Sequence, residues 1–200
     1  MSEYVVGVDE VGRGSLVGRA IVCALRTQNS FFQAVPFDVS ETKKIKKKKR
    51  EEIYNYFKLN KGFNYNYQII VGKKKFIEKF NIHNVVLQCM KQSIILLSKK
   101  TDTVIIDGKF IPNGMEDYKV KALVKADDKI NQVSAASIIA KVYRDKLITK
   151  LHLKDNVYQW NKNAGYGTKN HLDAIYSHGV SKFHRTTYQP IRRLIKKLST

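Results

Sequence analysis

The chain has 200 residues, enough for one domain with a full core, and 37 Lys and Arg against 17 Asp and Glu leave a formal net charge of +20. That surplus favours polyanionic partners, nucleic acid or an anionic surface, and disfavours cationic ones. The only cysteines, Cys23 and Cys89, sit in apolar runs without CxxC-type neighbours, which argues against a zinc site or a disulfide framework.

Val5–Val8 and Ala20–Leu25 are short β-prone runs joined by a glycine-rich loop, and Asn64–Val71 is a third. The three are expected to form an antiparallel meander. Between Leu25 and Asn64 lies an irregular stretch with Pro36, then a basic helix over Glu41–Phe57, where Ile45, Ile53 and Phe57 recur at helical spacing. Ile82–Leu97 predicts a core helix, with Ile82, Val86, Met90, Ile94 and Leu97 on one stripe. Thr103–Ile106 and Val120–Val124 are short strands that end near Asp107-Gly108 and Asp127-Asp128. Val133–Leu151 reads as a helix with small residues at its start. The order β-β-β-α-β-β-α gives an α/β fold with a mixed sheet.

After Leu151 the periodicity breaks at Tyr158, Trp160 and Asn163–Gly167. Thr168 is placed as the N-cap of a helix that Gly179 ends, and Pro190 opens a basic terminal helix over Ile191–Leu198. The expectation is a single domain over 1–200: an α/β core over 1–151 and a C-terminal helical extension over 152–200. No signal peptide and no bilayer-length apolar stretch are visible, so the sequence reads as soluble and cytoplasmic, without membrane association.

Three of the apolar strands end in acid: Val8 leads to Asp9 and Glu10, Ile106 to Asp107, and Val124 to Asp127 or Asp128. Ligand sites in α/β sheets gather at strand ends, and converging carboxylates need cations between them. Two Mg²⁺ ions about 3.5–4 Å apart would neutralise such a set and suit phosphodiester hydrolysis. Asp9 and Glu10, as neighbours on a strand, point to opposite faces, so both serve one site only if the strand ends there. Gly12 and Gly14, on either side of Arg13, allow backbone groups to approach a polar ligand closely. Periodicity does not choose between Asp127 and Asp128.

Gly7-Val8-Asp9-Glu10-Val11-Gly12-Arg13-Gly14 fits the G-x-D-E-x-G-R-G signature of ribonuclease HII, the type 2 ribonucleases H. Ile105-Ile106-Asp107-Gly108, Val124-Lys125-Ala126-Asp127 and the helix Val133–Asp145 follow in order. Gly165-Tyr166-Gly167-Thr168 and His184-Arg185-Thr186-Thr187-Tyr188 complete the set. The chain therefore resembles that family over nearly its whole length, and Arg13 separates it from the ribonuclease HIII type. The chain departs from the pattern at Arg19, where proline is usual, and at Glu41 and Thr42.

The resemblance implies a ribonuclease H-like fold, with 1–151 as the catalytic core and 152–200 as a substrate-binding extension. It implies cleavage of the RNA strand in RNA·DNA hybrids and 5′ to single ribonucleotides in duplex DNA, leaving 3′-hydroxyl and 5′-phosphate ends. The implied roles are ribonucleotide removal from DNA and RNA primer removal. Asp9, Glu10, Asp107 and Asp127 become the catalytic ligands of Mg²⁺ or Mn²⁺, which favours Asp127 over Asp128. Gly12, Arg13, Gly14 and Tyr166 become the reader of the ribose 2′-hydroxyl, a group that separates RNA from DNA. Thr42, Lys43 and Lys44 become phosphate contacts, His184 and Arg185 approach the nucleic-acid backbone, and Asp145 pairs with a nearby basic side chain. A monomer suffices. The competing readings are a non-catalytic nucleic-acid binder and a related nuclease for branched DNA.

Overall fold

The computed structural model describes residues 4–40, 45–60 and 64–198. Strands β1 (Tyr4–Val11), β2 (Ala20–Gln28) and β3 (Tyr65–Gly72) form the expected antiparallel meander. Helices α3 (Lys74–Phe80) and α4 (Ile82–Leu97) then carry the chain across the sheet. Strand β4 (Thr103–Asp107) returns parallel to β1, and β5 (Lys119–Leu123) pairs parallel to β4. The sheet order is β3-β2-β1-β4-β5, the mixed sheet expected from the sequence.

Period-two alternation sorts the two faces. Ile21, Cys23 and Leu25 of β2 pack with α2 (Lys47–Leu59) and α5 (Asn131–His152). Ala20, Val22 and Ala24 pack with Val6, Val8 and α4 on the other face. Both faces are covered, which explains why β2 reads as an unbroken apolar run.

A third cluster joins Leu16 and Val17 of the glycine-rich loop to Ile148, Tyr158, Trp160, Ile175 and Ile191. Thus α6 (Trp160–Asn163), α7 (Lys169–His178) and α8 (Ile191–Leu198) rest on the loop and the far half of α5, not on the sheet. Thr168 caps α7 by accepting a hydrogen bond from the His171 amide at 3.4 Å, and Gly179, at φ +80°, ends it.

The basic helix starts at Lys47 and runs on to Leu59; residues 41–44 lie outside the described residues. The sequence reading missed α3 and the four-residue helix α1 (Phe31–Ala34). In α3 only Ile77 is buried while Phe76 and Phe80 are exposed, so no apolar stripe marks it. Cys23 and Cys89 are buried thiols, as expected. Among the described residues no helix is long and apolar enough to cross a membrane.

α5 crosses β1 at Gly7. A Cβ there would lie 2.2 Å from the Gln132 carbonyl carbon and 2.3 Å from the Val133 nitrogen, both backbone atoms that cannot yield locally. Gly7→Ala is therefore expected to cost at least about 2 kcal/mol and to lower the melting temperature by several degrees. A thermal melt that matches the unsubstituted protein would refute that close approach.

Candidate active site

β1 pairs with β2 as far as Val11 but with β4 only as far as Val8. The end of β1 overhangs β4, leaving open space beyond Ile106. Asp9 points to the α5 face, where Ser137 hydrogen-bonds its carboxylate. Glu10 points to the α4 face, as Val6 and Val8 do. The condition set from the sequence, that the strand must end for both acids to serve one site, is corrected: the strand continues to Val11, and the overhang brings both acids to one cleft. Asp107, Asp127, Arg50, Lys141 and Tyr166 line the same cleft.

Asp107 ends β4, and its Oδ1 accepts a hydrogen bond from the Ala126 amide at 2.7 Å. That bond pins the single 3₁₀ turn Ala126–Asp128, which leaves Lys125 in the left-handed region at φ +58°. The turn buries Asp127 at the cleft and leaves Asp128 exposed, which separates the two neighbours that periodicity could not. Asp145 pairs with Lys141 at 3.0 Å, as expected of it.

Burial pushes the Asp9 carboxyl well above its ordinary range, and the charges of Glu10 and Asp107 push the same way. Glu10 is raised too: burial dominates, and the Arg13 guanidinium at 3.2 Å offsets part of it. Glu10 Oε2 is buried with no hydrogen-bond partner. An orphaned carboxylate oxygen among like charges suits a hard cation. Among the described residues no three acid, histidine or cysteine side chains close tightly enough to cage an ion alone. Asp9, Glu10, Asp107 and Asp127, which line one cleft, are the residues that would hold such a cation.

Gly12 has φ +94°, and a Cβ there would meet Arg144 Nε at 2.4 Å, so only glycine fits. A Cβ on Gly14 would lie 3.8 Å from Tyr166 Cε1, which places the tyrosine ring along the loop. Arg13 spans from Glu10 to His83, whose Nδ1 lies 3.3 Å from Nη2. The Arg13 carbonyl accepts from Arg185 Nη1 at 3.0 Å and from the Tyr188 hydroxyl at 2.9 Å. Leu16 donates its amide to the Gly165 carbonyl at 2.8 Å and accepts from the Arg185 amide at 2.7 Å. The loop is thus laced between the Tyr166 segment and the Arg185 segment.

His184 and Arg185 are fully buried. Their expected approach to the nucleic-acid backbone is corrected: both brace the loop from beneath. Trp160 Nε1 donates to His171 Nε2 at 2.9 Å, so His171 carries its proton on Nδ1 and donates to the Tyr166 carbonyl at 2.8 Å. His184 accepts at Nδ1 from the Ser181 amide at 2.9 Å, so its Nε2 donates to His171 Nε2 at 3.1 Å. Both rings are neutral in this arrangement.

Thr42, Lys43 and Lys44 lie outside the described residues. The sequence reading missed His83 as the partner of Arg13, Ser137 as the partner of Asp9, and Arg144 beneath Gly12. His83 carried no spacing signal. Arg144 could have been flagged as a cation on the buried side of α5, four residues after Ala140 and four before Ile148.

A mixed five-stranded sheet thus gathers these acids where β1 overhangs β4, beside a glycine-rich loop. Residues 6–191 match the family model of Ribonuclease HII. The chain is 44% identical over 193 residues to the ribonuclease HII of Pelagibacter ubique (strain HTCC1062), a match covering 96% of this chain and 100% of that one. It is 39% identical over 202 residues to the ribonuclease HII of Ehrlichia canis (strain Jake), covering 98% and 90%. The crystal structure of ribonuclease H2 from Pyrococcus horikoshii OT3 shares the fold, with a TM-score of 0.78 at 23% identity, over 98% of this chain and 99% of that one. The chain belongs to the ribonuclease HII family.

Two outcomes follow from the buried groups. With its carboxyl pushed upward, Asp9 penalises the metal-free fold when ionised, and the penalty fades as pH falls through its raised folded-state value. Asp9→Asn should stabilise the metal-free protein at pH 8 by on the order of 1 kcal/mol, with the advantage shrinking in acid. A lower melting temperature at pH 8 would contradict this.

His184 behaves oppositely. Burial and the neighbouring His171 lower it from 6.5 to about 4. The unfolded chain then binds the extra proton first, so this stability is complete above pH 6.5 and is lost as pH falls toward 4. An NMR titration should find the His184 ring neutral at pH 5.5; a midpoint near 6.5 would refute the neutral pair.

Proposed function

We propose that this chain is an endoribonuclease that hydrolyses the RNA strand of RNA·DNA hybrids. It also cuts 5′ to single ribonucleotides in duplex DNA, leaving 3′-hydroxyl and 5′-phosphate ends. The observation that supports this reading best is that Tyr166 lines the carboxylate cleft while bordering Gly14. A recognition loop and a hydrolytic cleft thus share one wall.

In this reading Asp9, Glu10, Asp107 and Asp127 would hold divalent ions, Mg²⁺ or Mn²⁺, which would supply water activation and charge neutralisation for phosphodiester hydrolysis. Glu10 offers its orphaned Oε2, while Arg13 holds the other oxygen. The backbone of Gly12, Arg13 and Gly14 reads the ribose 2′-hydroxyl, which both donates and accepts. The Tyr166 hydroxyl adds a partner, and its ring gives the adjacent sugar or base a surface to pack on. Lys141 and Arg50 in the cleft, with Lys46–Lys49 nearby, draw in the phosphate backbone; Thr42, Lys43 and Lys44 contact phosphate near the cut. Residues 152–200 act as a substrate-binding extension that sets the loop. The protein works as a cytoplasmic monomer in ribonucleotide and primer removal.

A labelled DNA duplex with one ribonucleotide should be cut once, on its 5′ side, while an all-DNA duplex stays intact. Asp9→Asn should slow cleavage by about 10³-fold or more, a barrier increase of about 4 kcal/mol, while binding survives. Tyr166→Phe should lose about tenfold at the single ribonucleotide. Tight binding without cleavage by the unsubstituted protein would favour the non-catalytic reading. Cleavage of ribonucleotide-free branched DNA would favour the branched-DNA nuclease.

A further inference from the structure

Beyond Asp107, the loop that leads to β5 presents two adjacent apolar side chains to solvent, Phe110 at 57% exposure and Ile111 at 44%. Scattered exposed apolar side chains need no explanation, but an adjacent pair beside a reactive cleft does. The loop that carries them is anchored. The Gly108 amide donates to the Leu123 carbonyl at 3.1 Å, Lys91 Nζ donates to the Asn113 carbonyl at 2.8 Å, and Pro112 and Met115 are buried. A ring presented in this way is already ordered before a ligand arrives.

The ring is also tied to the Gly12–Gly14 loop. His83 meets Phe110 edge to face, with ring centroids 4.8 Å apart and 79° between the planes. His83 Nδ1 lies 3.3 Å from Arg13 Nη2, and since arginine only donates, Nδ1 accepts. Arg13 in turn holds Glu10 at 3.2 Å. Phe110, His83, Arg13 and Glu10 thus form one run of contacts on the α4 side of β1. Tyr166 lies on the α5 side, where it lines the cleft with Ser137, Ile138 and Lys141. The glycine-rich loop therefore has an aromatic ring on either side.

Three residues separate Phe110 from Asp107, a span of at most about 11 Å. One strand of a duplex advances about 3.4 Å per nucleotide. A phosphodiester held over Asp107 brings a nucleotide about three steps away, or fewer, into reach of the Phe110 ring. We propose that Phe110 is a further substrate contact, packing against the sugar or base of one such nucleotide on the side of the loop away from Tyr166. His83 acts through it as a positioning residue that sets the ring against the loop. The inference rests on the nucleic-acid reading above. Every base has a π-face, so this contact adds affinity without sequence preference.

The test uses the full-length protein and a labelled DNA duplex with one ribonucleotide, with anisotropy followed across a salt series without divalent ions. Phe110→Ala should weaken binding at least about fivefold and leave the log–log salt slope unchanged, because packing on a nucleoside releases no counterion. Leu59→Ala removes another exposed apolar side chain, at the end of α2, and should bind as the unsubstituted protein does. Phe110→Trp keeps a ring and should bind within about twofold of the unsubstituted protein. The variant also reports the contact itself. Trp160, the only tryptophan of the chain, is fully buried, so acrylamide quenches chiefly the added indole, and duplex binding should suppress that quenching. With Mg²⁺ present, Phe110→Ala should raise KM at least about fivefold and leave kcat within about twofold. The proposal is overturned if Phe110→Ala binds as the unsubstituted protein does, or if the indole of Phe110→Trp is quenched equally with and without duplex. A fall in kcat with KM unchanged also overturns it, since the loop would then only support Asp107. Failure of the nucleolytic reading would appear separately, as no ribonucleotide cleavage by the unsubstituted protein, and the binding and quenching readouts would still stand.

Discussion

Asp9 and Glu10 are taken out of water within reach of each other's charge and that of Asp107, and burial outweighs every other influence on them. Much of the molecule serves to make that arrangement possible. The missing Cβ of Gly7 lets α5 settle directly on β1, which puts Ser137 against Asp9. The early end of the β1–β4 pairing opens the space into which both acids look. Arg13, arriving within one turn, compensates one oxygen of Glu10 and leaves the other unsatisfied. Keeping these acids ionised and close costs the fold stability, a cost that a bound cation would relieve.

The C-terminal segment acts on the site through the backbone. Arg185 and Tyr188 hold the Arg13 carbonyl, and Arg185 also donates from Nε to the Gly18 carbonyl at 3.0 Å. The neutral pair His171 and His184 extends the same support to the Tyr166 carbonyl. Backbone groups can read a 2′-hydroxyl only when their positions are fixed, and buried donors fix them better than a solvated loop can. The buried His184 and Arg185 fix the loop in that way.

The sheet, the core helices and the acids were legible because their signals are local: apolar runs of two periodicities, three of the strands followed by a carboxylate. The limits of legibility were physical too. A short amphipathic helix such as α3, with one buried side chain, leaves no period to read. Which of Asp127 and Asp128 enters the cleft depends on a 3₁₀ turn held by Asp107, a contact 19 residues away. Nothing in the His184-Arg185 dipeptide reports burial; that follows from Trp160, His171 and the loop closing over it. The partnership of Arg13 with His83 spans 70 residues and has no spacing rule.

The central claim is that one rigid loop places the ribose against the carboxylates. The most direct test is the position of the ribose 2′-hydroxyl in a crystal structure of the Asp9→Asn protein bound to a DNA duplex with one ribonucleotide. The account predicts that hydroxyl within hydrogen-bonding distance of the Gly12–Gly14 backbone and the Tyr166 hydroxyl. The phosphate on the 5′ side of the ribonucleotide should lie over Glu10, Asp107 and Asp127. A 2′-hydroxyl facing solvent, with the loop contacting only phosphates, would contradict it.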